Sequence, residues 1–186
     1  STEPDHFEKP GDDDHLTADG SWRSVKNAFP LMTNKGIYEK LRQQKGNDKR
    51  AFMMTRSSSF GIQHYGTFSW SGDITSNWQV MKNQIPSGLN YVTCGIPFWN
   101  TDIGGFFAGA YNTQGHNSAT RNPQYQELYV RWMQYGAFTP MMRSHGTDVY
   151  RELYYYGKPG EPVYEALVDA IRLRYRLMPY TYSLSW

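Results

Sequence analysis

The sequence of 186 residues has a single cysteine, no long apolar run and almost no excess of either charge. Because Cys94 stands alone, it cannot form an internal disulfide, and its apolar, strand-like neighbours predict a buried and unreactive thiol. No stretch approaches the roughly 18 to 20 apolar residues of a membrane-spanning helix, so we expect no membrane insertion. The 19 Lys and Arg residues are interspersed with 17 Asp and Glu residues, which leaves no basic stripe for nucleic acid.

The signatures of several kinds of site are also missing. No G-x-G-x-x-G loop opens a predicted helix, and we expect no cofactor. The acidic and histidine residues near the start have neither EF-hand nor H-E-x-x-H spacing, so a solvated loop is predicted there and no metal site. These residues are His6, Glu8, Asp12, Asp13, Asp14 and His15. The first residues do not form a signal peptide; any export signal would precede Ser1, and a periplasmic or secreted location is favoured over the cytoplasm.

Aromatic residues are in excess: the sequence has 15 Tyr, 9 Phe and 6 Trp. This number exceeds what a core of this size requires. Sugars present C–H faces that stack on aromatic rings, so some of these rings are expected to line a saccharide cleft.

The hydrophobic pattern alternates between strand and helix, which predicts repeated β-α units and a parallel sheet. Residues 1–22 are predicted to be a loop followed by a short connector. The predicted strands are 50–55, 66–70, 91–98 and 140–143, and the predicted helices are 35–44, 76–90, 125–137 and 162–178. Asn34 is expected to cap the first helix, Pro86 to end or kink the second, and Pro162 to occupy the first turn of the last.

Polar residues follow the predicted strands directly, at Arg56, Asp73, Asp102 and His145. A (β/α)8 TIM barrel keeps its active site at this end of its strands. A full barrel has eight β-α units and about 250 residues, so the roughly four units predicted here make up half of one. We expect the chain to be the second half of a barrel that belongs to a longer enzyme. A doubly wound sheet is the alternative, but the glycine-rich phosphate loop of that fold is missing.

A series of motifs in register carries a family resemblance. They are Thr55-Arg56-Ser57, Gly61-Ile62-Gln63-His64-Tyr65-Gly66, Trp70-Ser71-Gly72-Asp73, Gly95-Ile96-Pro97, Thr101-Asp102-Ile103-Gly104-Gly105-Phe106, Glu127-Leu128-Tyr129-Val130-Arg131-Trp132 and Arg143-Ser144-His145. The sequence resembles glycoside hydrolase family 31, whose members are retaining α-glucosidases, α-xylosidases and relatives.

The start of the chain, Ser1-Thr2-Glu3-Pro4-Asp5, resembles the segment that follows the family's nucleophilic aspartate. The resemblance implies that the nucleophile precedes Ser1, that residues 1–34 form the loop after its strand, and that residues 35–186 form barrel units 5 to 8. We then expect these 186 residues alone to be inactive and poorly soluble, and to require the N-terminal half of their own barrel.

The resemblance makes Asp73 the general acid/base of a retaining glycosidase. From spacing alone, a cap for the following helix is the favoured role of Asp73. Arg56 and Asp102 are implied to bind the sugar as a pair, with a structural rim ion pair as the alternative for Arg56 and a turn-forming role before Gly104 as the alternative for Asp102.

His145 is implied to bind sugar hydroxyls, although it could be a structural histidine. Trp70 and Phe106 are expected to form apolar walls, unless they belong to the core. Trp99 and Arg143 are further candidates for substrate binding.

The expected reaction is hydrolysis of a terminal α-linked sugar with retention of configuration, with an oligosaccharide or other α-glycoside as substrate. Within the family, the motifs favour an α-xylosidase over an α-glucosidase. An α-transglycosylase of the same family and a non-catalytic carbohydrate-binding protein on the same fold remain open.

Overall fold

The computed structural model describes residues 15–44, 46 and 48–184. The chain divides into two compact units. The first unit contains the described residues up to Trp70 and the segment Tyr91–Phe98, and the second contains Ser71–Asn90 and the described residues from Trp99 onwards. No helix among the described residues is both long enough and apolar enough to cross a membrane.

The first unit begins with a two-stranded antiparallel hairpin, in which β1 (Leu16–Thr17) pairs with β2 (Gly20–Ser21). The helices that follow are α1 (Trp22–Val25) and α2 (Phe29–Gln44). The expectation of a loop over residues 1–34 is therefore wrong for its described part; residues 1–14 lie outside the described residues.

The start of α2 shows why the sequence misplaced this boundary. Asn34, the expected cap, lies inside the helix, where it is 1% exposed and its Nδ2 donates to the Pro30 carbonyl at 2.6 Å. Pro30 stands in the first turn, where a missing backbone N–H has no helical partner to lose. An asparagine that bonds back to residue i−4 thus resembled a cap in the sequence alone.

The first unit contains two short parallel strands whose carboxyl ends lie side by side. β3 (Met53–Thr55) pairs in register with β4 (Thr67–Trp70), so that Thr55 lies opposite Ser69. The Ser69 hydroxyl donates to the Thr55 carbonyl at 3.0 Å, which ties the two strands near their carboxyl ends. The strands predicted over 50–55 and 66–70 are confirmed in shortened form.

The second unit is built on longer helices and one buried aromatic core. Its elements are α3 (Trp78–Thr93, whose last turn lies in the first unit), β5 (Trp99–Asn100), α4 (Pro123–Gly136) and α5 (Pro162–Leu184). Pro162 opens α5 as predicted, and the Asn122 side chain caps α4 by accepting from the Gln124 N–H at 3.0 Å. The core of this unit contains Ile103, Ala108, Ala119, Tyr125, Leu128, Tyr129, Val130, Trp132, Met133, Val149, Tyr156, Leu167 and Ala170.

The strand predicted over 91–98 is wrong. α3 passes through Pro86 and continues to Thr93, and the chain then turns at Gly95, whose φ of 79° is the left-handed conformation that ends many helices. Cys94 lies in this turn and is exposed, so the prediction of a buried thiol is also wrong.

The strand predicted over 140–143 does not form. The carbonyls of Thr139 and Pro140 accept instead from the Arg174 guanidinium of α5, at 2.5 and 2.7 Å. Next to residues 140–143, Ser144 forms an isolated parallel bridge with Ile103. The described strands form no closed barrel.

Candidate active site

Asp102 is the most deeply buried of the candidate residues, with no exposed surface. It follows β5, and the alternation of an extended chain places it on the same face as Asn100 and on the opposite face from Trp99. The bridge between Ile103 and Ser144 aligns this segment with the segment that carries Arg143. Arg143 Nη2 donates to Asp102 Oδ1 at 2.6 Å, which makes a buried, charge-assisted ion pair.

The electrostatic surroundings of Asp102 show which other candidates lie nearby. Burial raises the pKa of the Asp102 carboxyl above its ordinary value, while the charges of Arg143 and His145 lower it and that of Asp73 raises it. Arg143, His145 and Asp73 therefore lie close enough to Asp102 to influence its carboxyl, all within the second unit. Asp102 Oδ2 is buried and has no hydrogen-bond partner among the described residues, so it can accept a further hydrogen bond.

Asp73 is exposed and lies beside the Asp102 segment. The Ser71 N–H donates to the Asn100 carbonyl at 3.3 Å, and its hydroxyl donates to Thr101 Oγ1 at 3.4 Å. Asp73 does not cap α3: that helix begins at Trp78, and Asn77 Oδ1 accepts from the Val80 N–H at 2.8 Å. The helix-cap alternative for Asp73 is therefore wrong, and the Asp73 side chain is exposed.

The turn after Asp102 has room only for glycine. Gly104 and Gly105 have φ values of 88° and 75°, and a Cβ on Gly105 would lie 2.7 Å from the Ser76 Cα. The Ser76 hydroxyl donates to the Gly104 carbonyl at 2.5 Å, and the Phe106 N–H donates to the Ile74 carbonyl at 2.7 Å. These contacts fix the turn to the chain that follows Asp73.

The structure also separates Asp102 from its turn-forming alternative. The turn is closed by the backbone, because the Gly105 N–H donates to the Asp102 carbonyl oxygen at 2.9 Å. The Asp102 carboxylate binds Arg143 instead. The side chain thus remains available for a role beyond the turn.

Phe106 and His145 come together as a pair of rings. Their centroids are 5.4 Å apart with an interplanar angle of 48°. Phe106 is half-buried and His145 is exposed. An apolar ring beside an imidazole presents both a stacking surface and a hydrogen-bonding group, which suits a sugar with its C–H face and hydroxyls.

Trp99 lies elsewhere. It is 8% exposed, and it packs so closely on α3 that a Cβ on Gly88 would lie 2.8 Å from the indole Cδ1. The same position on Gly88 lies 3.4 Å from the Tyr135 hydroxyl, so the indole is enclosed by two helices. This position favours the core over a substrate contact for Trp99.

Arg56 and Trp70 belong to the first unit, each at the carboxyl end of a strand. The parallel register of β3 and β4 places the two residues at the same end of the pair. Arg56 is exposed and Trp70 is half-buried. The candidates therefore form two groups, one on each unit, and the pairing of Arg56 with Asp102 stays a prediction.

Sequence reasoning missed residues that support the site rather than line it. Arg151 donates to the Gly105 carbonyl at 2.6 Å, and the Tyr125 hydroxyl donates to the Gly104 carbonyl at 3.1 Å. Nothing local marks these long-range contacts. Asn100 could have been predicted from the sequence as a neighbour of Asp102. It lies two residues before Asp102 and therefore on the same face of the extended chain.

Metal binding is not indicated within 15–44, 46 and 48–184, where no cluster of His, Cys, Asp and Glu could hold an ion. Of the acidic N-terminal segment only His15 belongs to these ranges. The Ser1–Asp5 segment, on which the position of the nucleophile depends, lies outside the described residues.

Comparison with known proteins identifies the family of the chain. The model of the glycosyl hydrolases family 31 TIM-barrel domain matches residues 1–184. An α-xylosidase of Saccharolobus solfataricus is 41% identical over 160 residues, which cover 86% of this chain and 20% of the relative. A neutral α-glucosidase C of Macaca fascicularis is 37% identical over 169 residues, covering 89% of this chain and 20% of the relative.

A solved structure gives the same result. The crystal structure of the α-xylosidase from Xanthomonas citri superposes with a TM-score of 0.82 at 39% identity, covering 92% of this chain and 18% of that chain. The chain thus spans about a fifth of the length of the proteins it matches. The chain therefore belongs to glycosyl hydrolase family 31, within the TIM-barrel domain of that family.

Proposed function

We propose that this chain is the second half of the catalytic barrel of a retaining α-glycosidase that acts on terminal α-linked sugars. The observation that supports this proposal is the group of residues around buried Asp102. Arg143 binds one oxygen of the Asp102 carboxylate, and Asp73 and His145 lie near enough to influence its charge. The proposal that more barrel belongs to the protein is supported by the small share of each relative that the chain covers.

Asp73 is assigned the role of general acid/base. Its carboxyl first protonates the departing glycosidic oxygen and later deprotonates the attacking water. A retaining mechanism needs a second carboxylate about 5 to 5.5 Å away as nucleophile. We assign that role to an aspartate that precedes Ser1, and these 186 residues alone are then inactive.

The sugar ring is assigned to the groups that surround Asp102. Its Oδ2 accepts from a sugar hydroxyl, while Arg143 holds the carboxylate through Oδ1. Phe106 and His145 supply a wall with a stacking face and a hydrogen-bonding nitrogen. Arg56 and Trp70 are proposed as further substrate-binding residues on the family resemblance of their motifs.

We propose an α-xyloside rather than an α-glucoside as the preferred substrate. The support is the similarity to α-xylosidases at 41% and 39% identity. An α-glucosidase is the second candidate, since the neutral α-glucosidase C relative is 37% identical over a comparable part of the chain.

The proposal is tested by hydrolysis of aryl α-xylosides and α-glucosides by the full-length protein. Asp73→Ala is expected to lose at least about 100-fold in kcat/KM, most severely for substrates with poor leaving groups, because these need the proton most. Asp169→Ala is the matched control, since the Asp169 side chain is 69% exposed on α5 and pairs with Arg172.

Hydrolysis of neither substrate by the wild-type protein would reject the proposed activity. Activity that is indifferent to Asp73 would assign the proton transfer to another carboxyl group. A faster reaction with the α-glucoside would reverse the substrate preference and leave the mechanism intact.

A further inference from the structure

Arg151 joins two segments of the site through one guanidinium group. Its Nη2 donates to the Gly105 carbonyl at 2.6 Å and also lies 3.5 Å from the Phe106 carbonyl oxygen. Its Nη1 donates to the Val149 carbonyl at 3.0 Å. Gly105 and Phe106 belong to the turn after Asp102, whereas Val149 belongs to the loop after His145.

The surroundings of Arg151 hold it in this position. Its guanidinium carbon lies 5.6 Å from the centroid of the buried Tyr125 ring, and its carbonyl accepts from the Tyr129 hydroxyl at 2.8 Å. The same loop is bound directly to the turn, because the Thr147 N–H donates to the Phe106 carbonyl at 3.0 Å. The contact leaves no space at Gly146, where a Cβ would collide with the guanidinium of Arg151.

The two joined segments carry Phe106 and His145, whose rings face each other at 5.4 Å. We propose that Arg151 is a positioning residue that fixes the spacing of these two rings and thereby the affinity of the site for the sugar. This inference rests on the proposed function. The hydrogen bonds described for the Arg151 guanidinium go to backbone carbonyls, so its effect on substrate passes through the residues that it holds.

The chemistry of arginine explains why this position uses it. A planar guanidinium offers several N–H donors in a fixed fork, which can bind carbonyls of two segments at the same time. A lysine offers a compact charge on a flexible stem and can bind one of the segments well. The substitution Arg151→Lys would therefore keep the charge and lose part of the clamp.

The segment of Asp73 also has anchors that Arg151 does not touch. The Ser71 N–H donates to the Asn100 carbonyl, and the Ser71 hydroxyl donates to Thr101 Oγ1. Loss of Arg151 is therefore expected to loosen the loop of His145 against the turn, while the acid/base group stays in place. Sugar binding should weaken more than proton transfer.

The test uses the full-length protein with Arg151→Met, which keeps an apolar stem of similar length, and Arg151→Lys. The KM for the aryl α-glycoside, and the inhibition constant of free xylose or glucose, are expected to rise about tenfold or more in Arg151→Met and less in Arg151→Lys. The pH profile of kcat is expected to keep its shape. The matched control is Arg131→Met, because Arg131 is 52% exposed and pairs with Glu127 on α4.

Merely structural loss gives a different result: a smaller fraction of folded enzyme lowers kcat and leaves KM and the inhibition constant unchanged. That outcome, or wild-type constants in Arg151→Met, would overturn the inference alone. If Arg151→Met does not fold, unchanged constants in Arg151→Lys overturn it equally. Wild-type protein that hydrolyses neither glycoside would reject the proposed function and the inference with it.

Discussion

The two units bury their aromatic residues in different ways. In the second unit Tyr125, Tyr129, Tyr156 and Trp132 are at most 1% exposed, and the tyrosine hydroxyls are bound within the unit. The Tyr125 hydroxyl donates to the Gly104 carbonyl, and the Tyr129 hydroxyl binds Ser144 Oγ and the Arg151 carbonyl at 2.8 Å each. Burial raises the pKa of Tyr125 to about 12.

In the first unit, Trp22 is the one buried aromatic residue among the described residues. Phe52 and Phe60 are 61% and 74% exposed, and the Phe68 ring forms tilted pairs with Phe52 and Phe98 at centroid distances of 5.0 and 4.9 Å. The comparison shows that the groups around Asp102 are held by the core of their own unit, whereas Arg56 and Trp70 lie on a strand pair with a much smaller core.

The largest expected effect is the loss of stability when a glycine is replaced by alanine. It compares a glycine packed closely against backbone with one that has only a positive φ. Gly105→Ala in the second unit should cost about 3 kcal/mol of unfolding free energy or more, because its Cβ meets the Ser76 backbone at a positive φ. Gly95→Ala in the first unit should cost about 1 kcal/mol, since its φ is also positive but nothing lies within 4 Å. Urea unfolding of the full-length protein measures both; equal losses would contradict the close packing of the Gly105 turn.

The next largest effect concerns the buried hydroxyls. Tyr129→Phe should destabilise the protein by about 2 kcal/mol, because the Arg151 carbonyl and Ser144 both lose a buried partner. Tyr91→Phe removes the hydroxyl that donates to Ser58 in the first unit and should cost about 1 kcal/mol or less. A larger loss in Tyr91→Phe would reverse the comparison of the two units.

A pH dependence should reveal the buried charge of the second unit. Since the pKa of Asp102 is raised above 3.8 on folding, its protonated form is favoured in the folded state, and its contribution to stability is lost as pH rises through the raised pKa. The stability of the wild type relative to Asp102→Asn should therefore fall from acid towards neutral pH. A relative stability that rises over the same range would show that Arg143 outweighs the burial of the carboxyl.

The smallest effect is expected at Cys94 in the first unit. Because the thiol is exposed, Cys94→Ser should change the unfolding free energy by less than about 0.5 kcal/mol. The Cys94 thiol of the folded full-length protein should also react with a thiol reagent without denaturant, and the Cys94→Ser variant should lose that reaction. Slow reaction that requires denaturant would restore the buried thiol that the sequence predicted.

The long helices were predictable, whereas two of the four predicted strands were wrong. α4 and α5 carry apolar residues at helical spacing over several turns and begin at a proline, so their existence and approximate bounds are confirmed. The apolar runs 91–98 and 140–143 are too short for periodicity to distinguish strand from other structure. Gly95 and the distant Arg174 decided their conformations.

The candidate site also has features that the sequence predicted and features that only the structure shows. The order of the motifs was enough to select Asp73, Asp102, Phe106, Arg143 and His145, and the structure brings these residues of the second unit together. The helix-cap alternative for Asp73 was excluded only by Asn77, whose amide oxygen takes that role. The position of Trp99 against Gly88 was equally invisible in the sequence, because it depends on a helix and a strand packing together.

By itself the sequence determined the family, the chemical groups of the second unit's site and the glycines that its turn requires, since these depend on residue type and order. Only the tertiary structure decided that Asp102 binds Arg143 and that Arg151 joins the Gly105 turn to the loop after His145. These contacts join residues 41 and 46 positions apart. Spacing along the chain carries no information on such pairs, because the burial and direction of each side chain are set by the packing of the elements between them.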